Sequence, residues 1–243
     1  MAGAVEAIRT GLDRSESLEF PRGPFSVAFV RNYEAMLHRM RGDSQDAVAA
    51  AEEVIRIGDR HGFFEWRVVG WMQLAAAKVM TDASSEALDE LDEAIRTWCK
   101  VGGEAMIPLF RVEQARGYLV RGDLDKATTY LDQAFAGMGH GQRLALPEAL
   151  RLRALLRVRV DRDARAGADA DLREAIEIAR AQGAVYSLLR AAVTHRRLIG
   201  DAGADLVDGA LAEAVTVYGD ATDFPDLAEA RALSAESHRV RLG

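Results

Sequence analysis

Polar turns recur along this 243-residue chain at a nearly constant interval. Gly42-Asp43, Thr81-Asp82, Gly122-Asp123, Arg162-Asp163 and Gly200-Asp201 place their aspartates 39, 41, 40 and 38 residues apart. A second set of breaks falls between them, at Gly62, Gly102-Gly103, Gly139 to Gly141, Gly183 and Gly219. Each unit therefore reads helix, turn, helix, turn over about 40 residues. A hairpin of that size cannot bury its apolar face alone, so successive hairpins must lean on one another.

The segments between breaks carry helical periodicity. Ala87, Leu88, Leu91, Ala94, Ile95 and Trp98 step by three and four, as do Leu172, Ala175, Ile176 and Ala179. Asp89, Glu90, Asp92 and Glu93 on one segment and Glu174, Glu177 and Arg180 on the other are expected to face water. No segment sustains the alternation of a strand. The spacing predicts helices over about 2–16, 25–41, 44–60, 63–80, 84–100, 104–121, 124–137, 146–161, 168–182, 184–199, 203–218 and 225–240. Pro21 and Pro24 are assigned to a connector. Pro108, Pro147 and Pro225 fall near helix starts, where a missing N–H is harmless.

Composition narrows the function classes. Apolar residues make up 49% and charged residues 28%, enough for a continuous core and too apolar for disorder. The net charge of −7 argues against nonspecific nucleic-acid binding. No window approaches the ~18 apolar residues of a membrane span, and the first residues read as an amphipathic helix, not a signal peptide. The cytoplasm is the expected location. The single cysteine, Cys99, excludes an intrachain disulfide. Lysine occurs only at positions 78, 100 and 126, so 28 of the 31 basic residues are arginine, a bias associated with GC-rich bacterial genomes.

Ala115, Tyr118, Gly122, Ala127, Leu131 and Ala134 stand at the spacing of the tetratricopeptide repeat. Small residues let paired helices approach, large ones fill the space between pairs, and glycine permits the turn. The first pair keeps Ala35, Gly42, Ala47 and Ala51 but has His38 at the aromatic position. The second needs one inserted residue, and the fourth and fifth longer ones. The segments PFSVAFVRNYEAMLHRMRGD, HGFFEW, EAIEIARAQGAVYSLLRAAVTHRRLIGD and VYGDATDFPDLAEARAL resemble the C-terminal helical region of large bacterial signalling ATPases. In that class a cyclase or DNA-binding output domain, a P-loop ATPase and a tetratricopeptide-like array share one chain. The chain has no G-x-x-x-x-G-K-[ST] loop and no recognisable cyclase carboxylate motif.

The resemblance implies an all-α fold: a right-handed superhelix of antiparallel helix pairs forming a single repeat domain over 1–243. It would comprise a half-repeat helix and connector over 1–22, about five pairs over 24–219, and a C-terminal capping helix over 223–243. The cap would begin at Asp223-Phe224-Pro225-Asp226, pack through Leu227, Ala230 and Leu233, and show Glu229, Glu236 and Arg239 to water. The first helix resembles the second member of a pair whose partner is missing, so the N-terminus is expected to fray, to form a homodimer through the open repeat, or to be a truncation.

Such arrays bind partners on the concave face, lined by the first helix of each pair. Family register places Arg39, Lys78, Leu119, Arg159 and Arg197 there in one row. Asn32, Trp71, Val112, Leu152 and Arg190 form a second, and Met36, Ala75, Arg116, Leu156 and Thr194 a third. The candidate binding residues are Asn32, Arg39, Trp71, Lys78, Arg116, Arg159, Arg190 and Arg197. Their cations would suit carboxylates or phosphates. The competing reading is that basic residues near helix C-termini complement the helix dipole and snorkel along neighbours.

Other residues point away from catalysis. Trp66 and Trp71, five apart, divide into one core and one partly exposed ring, with Trp71 able to stack on a ligand. Trp98 reads as packing. His38, His61, His140, His195 and His238 include no i, i+4 pair, so histidine spacing gives no metal site. His195-Arg196-Arg197 reads as a solvated basic cluster, and Cys99 as a buried small hydrophobe. The acid pairs Asp89/Glu93 and Glu52/Glu53 lack the cleft that hydrolysis needs, and no serine nucleophile motif occurs. The expected function is a non-catalytic regulatory scaffold without a cofactor. It would bind a protein or peptide, acidic ones included, with no direct nucleic-acid or membrane contact. A small-molecule sensor with a pocket between repeats is the alternative, and a helical-repeat enzyme the third class.

Overall fold

The computed structural model describes residues 2–140, 143–200, 203–219 and 224–242. Among them are twelve α-helices and no strand. The order is α1 (Ala2–Glu16), α2 (Arg22–Arg41), α3 (Ser44–His61), α4 (Phe64–Thr81), α5 (Ser85–Lys100) and α6 (Ile107–Arg121). There follow α7 (Leu124–Gly137), α8 (Leu146–Val160), α9 (Arg165–Ala181), α10 (Val185–Ile199), α11 (Ala204–Tyr218) and α12 (Pro225–Leu242). Two single-turn 3₁₀ helices, Met138–His140 and Arg143–Ala145, lie between α7 and α8. The expected turn residue Asp201 and helix-start residue Asp223 lie outside the described residues, as do the side chains of Glu236 and Arg239.

The chain divides into two compact units, Met1–Arg121 and Gly122–Gly243. In the first, α1 to α6 pack each on the next, and α2, α4 and α6 also touch in series. In the second, α7 to α12 pack each on the next. There α8, α10 and α12 touch in series, as do α9 and α11. In each unit consecutive helices thus pack and the even-numbered helices meet in series, consistent with a helical repeat.

Small side chains set the packing. Ala28, Ala35, Ala47, Ala51, Ala75 and Ala76 are fully buried in the first unit, around Met72, Leu88, Leu91, Ile95 and Phe110. Leu150, Leu172, Ile176, Leu188, Leu189 and Leu211 fill the second, with Ala154, Ala168, Ala175 and Ala192 between them. The helices α3 and α4 approach closely. A Cβ at Gly58 would lie 2.7 Å from the Arg67 backbone nitrogen, and one at Gly70 would lie 2.9 Å from that of Ile55. Only glycine lets the two backbones come that near.

Caps account for several boundaries. Ser84 accepts from the Ala87 N–H at 3.2 Å to open α5, and Asp123 accepts from Lys126 N–H at 3.1 Å to open α7. The helix α2 begins three residues before its expected start. Pro21 sits at its cap and Pro24 in its first turn, so neither breaks a helical hydrogen bond. The helix α6 begins three residues late, after Met106 at φ 67°. The α9 start moves three residues forward, to Arg165. At the C-terminal end Leu227 and Ala230 are fully buried, as the capping pattern requires, and Leu233 is half-buried.

Candidate binding face

In the first unit, polar side chains of α2, α4 and α6 meet in one relay. Gln73 Nε2 donates to Asn32 Oδ1 at 2.7 Å, and Arg39 Nε donates to Gln73 Oε1 at 3.1 Å. Arg39 Nη1 continues to Glu113 Oε1 at 3.0 Å, and Arg116 Nε donates to Glu113 Oε2 at 2.8 Å. The Arg39 guanidinium also stands 5.7 Å from the centre of the Phe110 ring. Asn32, Arg39 and Gln73 are buried. Burying a charge is tolerable only when it is paired and hydrogen-bonded, and the relay meets that condition.

Trp71 and Lys78 lie on another side of α4. Trp71 Nε1 donates to Glu90 Oε1 at 3.1 Å, and Lys78 Nζ pairs with Glu90 at 2.7 Å. Glu90 therefore does not simply face water: it ties α4 to α5. Asp92, also expected on the solvent face, accepts from Arg111 at 2.7 Å and Gln114 at 3.3 Å. Burial alone would raise the Asp92 carboxyl, but the Arg111 and Gln114 hydrogen bonds outweigh it and hold the group below the usual carboxylate range.

In the second unit, α8, α10 and α12 carry a matching network made of ions. Glu148 accepts from Arg151 at 2.7 Å and from Arg190 at 2.9 Å. Arg190 Nε also pairs with Asp226 at 3.2 Å, and its guanidinium lies 5.5 Å from the Tyr186 ring centre. Arg151 reaches Thr194 at 3.3 Å, and the Tyr186 hydroxyl donates to Asp226 at 3.4 Å. Burial pushes the Tyr186 phenol up to about 12, so it stays a donor at neutral pH. Arg197 pairs with Glu229. Arg159 is exposed in the last turn of α8.

The structure thus gathers Asn32, Arg39 and Arg116 through two residues the sequence did not single out, Gln73 and Glu113. It gathers Trp71 and Lys78 around Glu90, and Arg190 with Glu148 and Arg151. Three expectations are corrected. His195 is fully buried, with Nε2 2.6 Å from Asp169 Oδ1, and is not part of a solvated cluster. Cys99 is exposed in the last turn of α5, where Trp98 takes the packing role above Gly103. The solvent-face assignment fails for Glu90 and Asp92, because each reaches a neighbouring helix.

What the first unit presents outward is aromatic. Tyr33, Phe29, Trp66, Phe25, Phe63, Phe20 and His61 follow one another with ring centres 5.0 to 6.3 Å apart. Trp66 is buried beneath them, whereas Phe20, Phe25, Phe29 and Tyr33 are 67, 39, 49 and 40% exposed. A cavity of about 260 Å³, lined by Leu18, Pro21, Arg22, Phe25 and Ser26, opens beside this run. The signal was in the sequence: Phe25, Phe29 and Tyr33 recur every four residues and share one helix face.

No family model matches the chain, and searches of curated proteins and of solved structures return no match either.

Proposed function

We propose that the chain is a non-catalytic binding and regulatory array of helical hairpins that engages a protein or peptide through the aromatic run on α2 and the α3–α4 turn. One observation carries this reading: four large aromatic side chains stand exposed in one run, while the candidate cations Arg39, Lys78, Arg116, Arg190 and Arg197 have carboxylate partners of their own. Aromatic rings give large contact area at low conformational cost, which is why they anchor interfaces. Contiguous exposed apolar surface of this kind marks interaction sites. The arrangement of hairpins as about five tetratricopeptide-like pairs in a right-handed superhelix belongs to the same proposal. So does a role as the sensory region of a bacterial signalling ATPase, which rests on the sequence resemblance alone.

The test is peptide selection on the immobilised chain, followed by calorimetry on the selected peptides. Phe29→Ser with Tyr33→Ser is expected to weaken binding at least tenfold with unchanged helicity. Arg159→Glu with Arg197→Glu is expected to leave it unchanged. If only the arginine reversal weakens binding, the contact is electrostatic and the aromatic reading fails. If neither matters, the reading fails for both surfaces.

A second reading has its own observation. A cleft of about 450 Å³ lies between the start of α4 and the α5–α6 connector, lined by Phe64, Trp98, Val101 and Gly103 among others. That volume suits a small effector. A thermal-shift screen with nucleotides, sugars and lipids tests it, since a ligand that binds only the folded chain raises the melting temperature.

A further inference from the structure

We propose that the turn joining α2 to α3 binds a divalent transition-metal ion of the zinc or cobalt type through His38, Asp43 and Asp46. The turn is built to bring these groups together. The helix α2 ends on Gly42 in the left-handed region, at φ 82°. Gly42 N–H donates to Arg39 O at 3.1 Å and Asp43 N–H to His38 O at 2.9 Å, the paired bonds of a Schellman end. Asp43 is thereby folded back over the last turn of α2. Its carbonyl accepts from Ala47 N–H at 2.9 Å to start α3, which places Asp46 in the first turn beside it.

The three donors converge. His38 Nδ1 lies 3.5 Å from Asp43 Oδ2 and 3.8 Å from Asp46 Oδ2, and one donor atom from each of the three residues lies within 4.8 Å of the other two. Nitrogen and oxygen ligands at about 2.0–2.2 Å around one tetrahedral ion stand roughly 3.3–3.6 Å apart. One imidazole and two carboxylates form a donor set for which zinc and its first-row neighbours compete. An ion of charge +2 would balance the two carboxylates.

Two features show these side chains committed to that space. The His38 Nδ1 atom is buried and has no hydrogen-bond partner. Asp43 makes no side-chain cap bond to α3, although it occupies the cap position. Asp123, at the corresponding place in the third turn, does cap its helix. That third turn has Tyr118 and Lys126 where the first has His38 and Asp46. Arg41 Nε holds Asp43 Oδ2 at 2.9 Å, so the ion must displace this contact or use the second oxygen of Asp43. Histidine spacing alone missed the site because only one of its ligands is a histidine.

The test uses the full chain with Cys99→Ser, because an exposed thiol binds zinc by itself. Calorimetry with ZnCl₂ is expected to show one saturable equivalent, and CoCl₂ to give visible d–d absorption. Asp46→Lys copies the residue of the third turn at a mostly exposed position and is expected to weaken zinc binding at least tenfold, with unchanged far-ultraviolet circular dichroism. His38→Gln is expected to do the same and to abolish the cobalt bands. No saturable uptake by the parent chain overturns the proposal. So does uptake by both variants with the parent's affinity, which would place the ion elsewhere.

Discussion

The two units place polar side chains between every second helix, but with different chemistry. Between α2, α4 and α6 the connectors are two amides, Asn32 and Gln73, leading to the buried Arg39–Glu113 pair. Between α8, α10 and α12 they are mostly ions: Glu148 shared by Arg151 and Arg190, and Arg190 shared with Asp226. The first relay thus rests on one carboxylate, Glu113, and the second on two, Glu148 and Asp226. The second unit also buries His195, whose Nδ1 has no hydrogen-bond partner. The buried imidazole adds to the second unit a group whose protonation opposes folding.

The comparison can be broken most sharply at Glu113. Glu113→Ala withdraws the carboxylate from a buried guanidinium and is expected to destabilise the first unit by about 3–5 kcal/mol. Hydrogen exchange of the α2 and α4 amides during urea titration reads this locally. Glu148→Ala withdraws the carboxylate from two guanidiniums: Arg190 keeps Asp226, but the buried Arg151 loses its carboxylate partner, so the second unit should lose about 3 kcal/mol. A loss below ~1 kcal/mol at either position would show that its relay does not hold the helices together.

Acid provides the next test. Burial lowers the His195 pKa despite the opposing pull of Asp169. The unfolded chain therefore takes up the proton first as pH falls through about 6.5. Stability is full above that pH and declines below it, until the folded form also protonates. The slope reaches at most ~1.4 kcal/mol per pH unit for one proton. Asp169 acts in the same direction at lower pH. Burial would raise its carboxyl, but bonds from His195 and Arg173 hold it below the usual range, so protonating it removes stability. Urea midpoints between pH 8 and 5, read on α9 and α10, should fall in the parent and flatten in His195→Gln. The smallest effect is expected at the exposed Arg197–Glu229 pair, where Arg197→Ala should change stability by less than ~0.5 kcal/mol.

The helices were readable because apolar steps of three and four persist between glycine breaks. Their boundaries moved where a proline entered a first turn, as Pro24 does in α2. The relays were not readable in the same way. Trp71 and Gln73 are two residues apart on α4, so about 200° of helix rotation separates them. Only the placement of the neighbouring helices decides that Gln73 meets Asn32 while Trp71 meets Glu90. The same rotation separates His195 from Arg197, which is why a run of three basic letters hides one buried ring. The aromatic face was legible from Phe25, Phe29 and Tyr33, but an exposed face and a core face of that period look alike without knowing what covers them.

The touching backbones at Gly58 and Gly70 bear on recognition. Phe63 and Trp66 are mounted on a hairpin whose two rods cannot slide or part without losing that contact. In the proposed contact, a partner on Phe25 and Phe29 would meet rings backed by Trp66 on this fixed hairpin, and the loss of freedom on docking would fall on the incoming chain. Adding one methyl group at either glycine would force the two backbones apart and loosen that support.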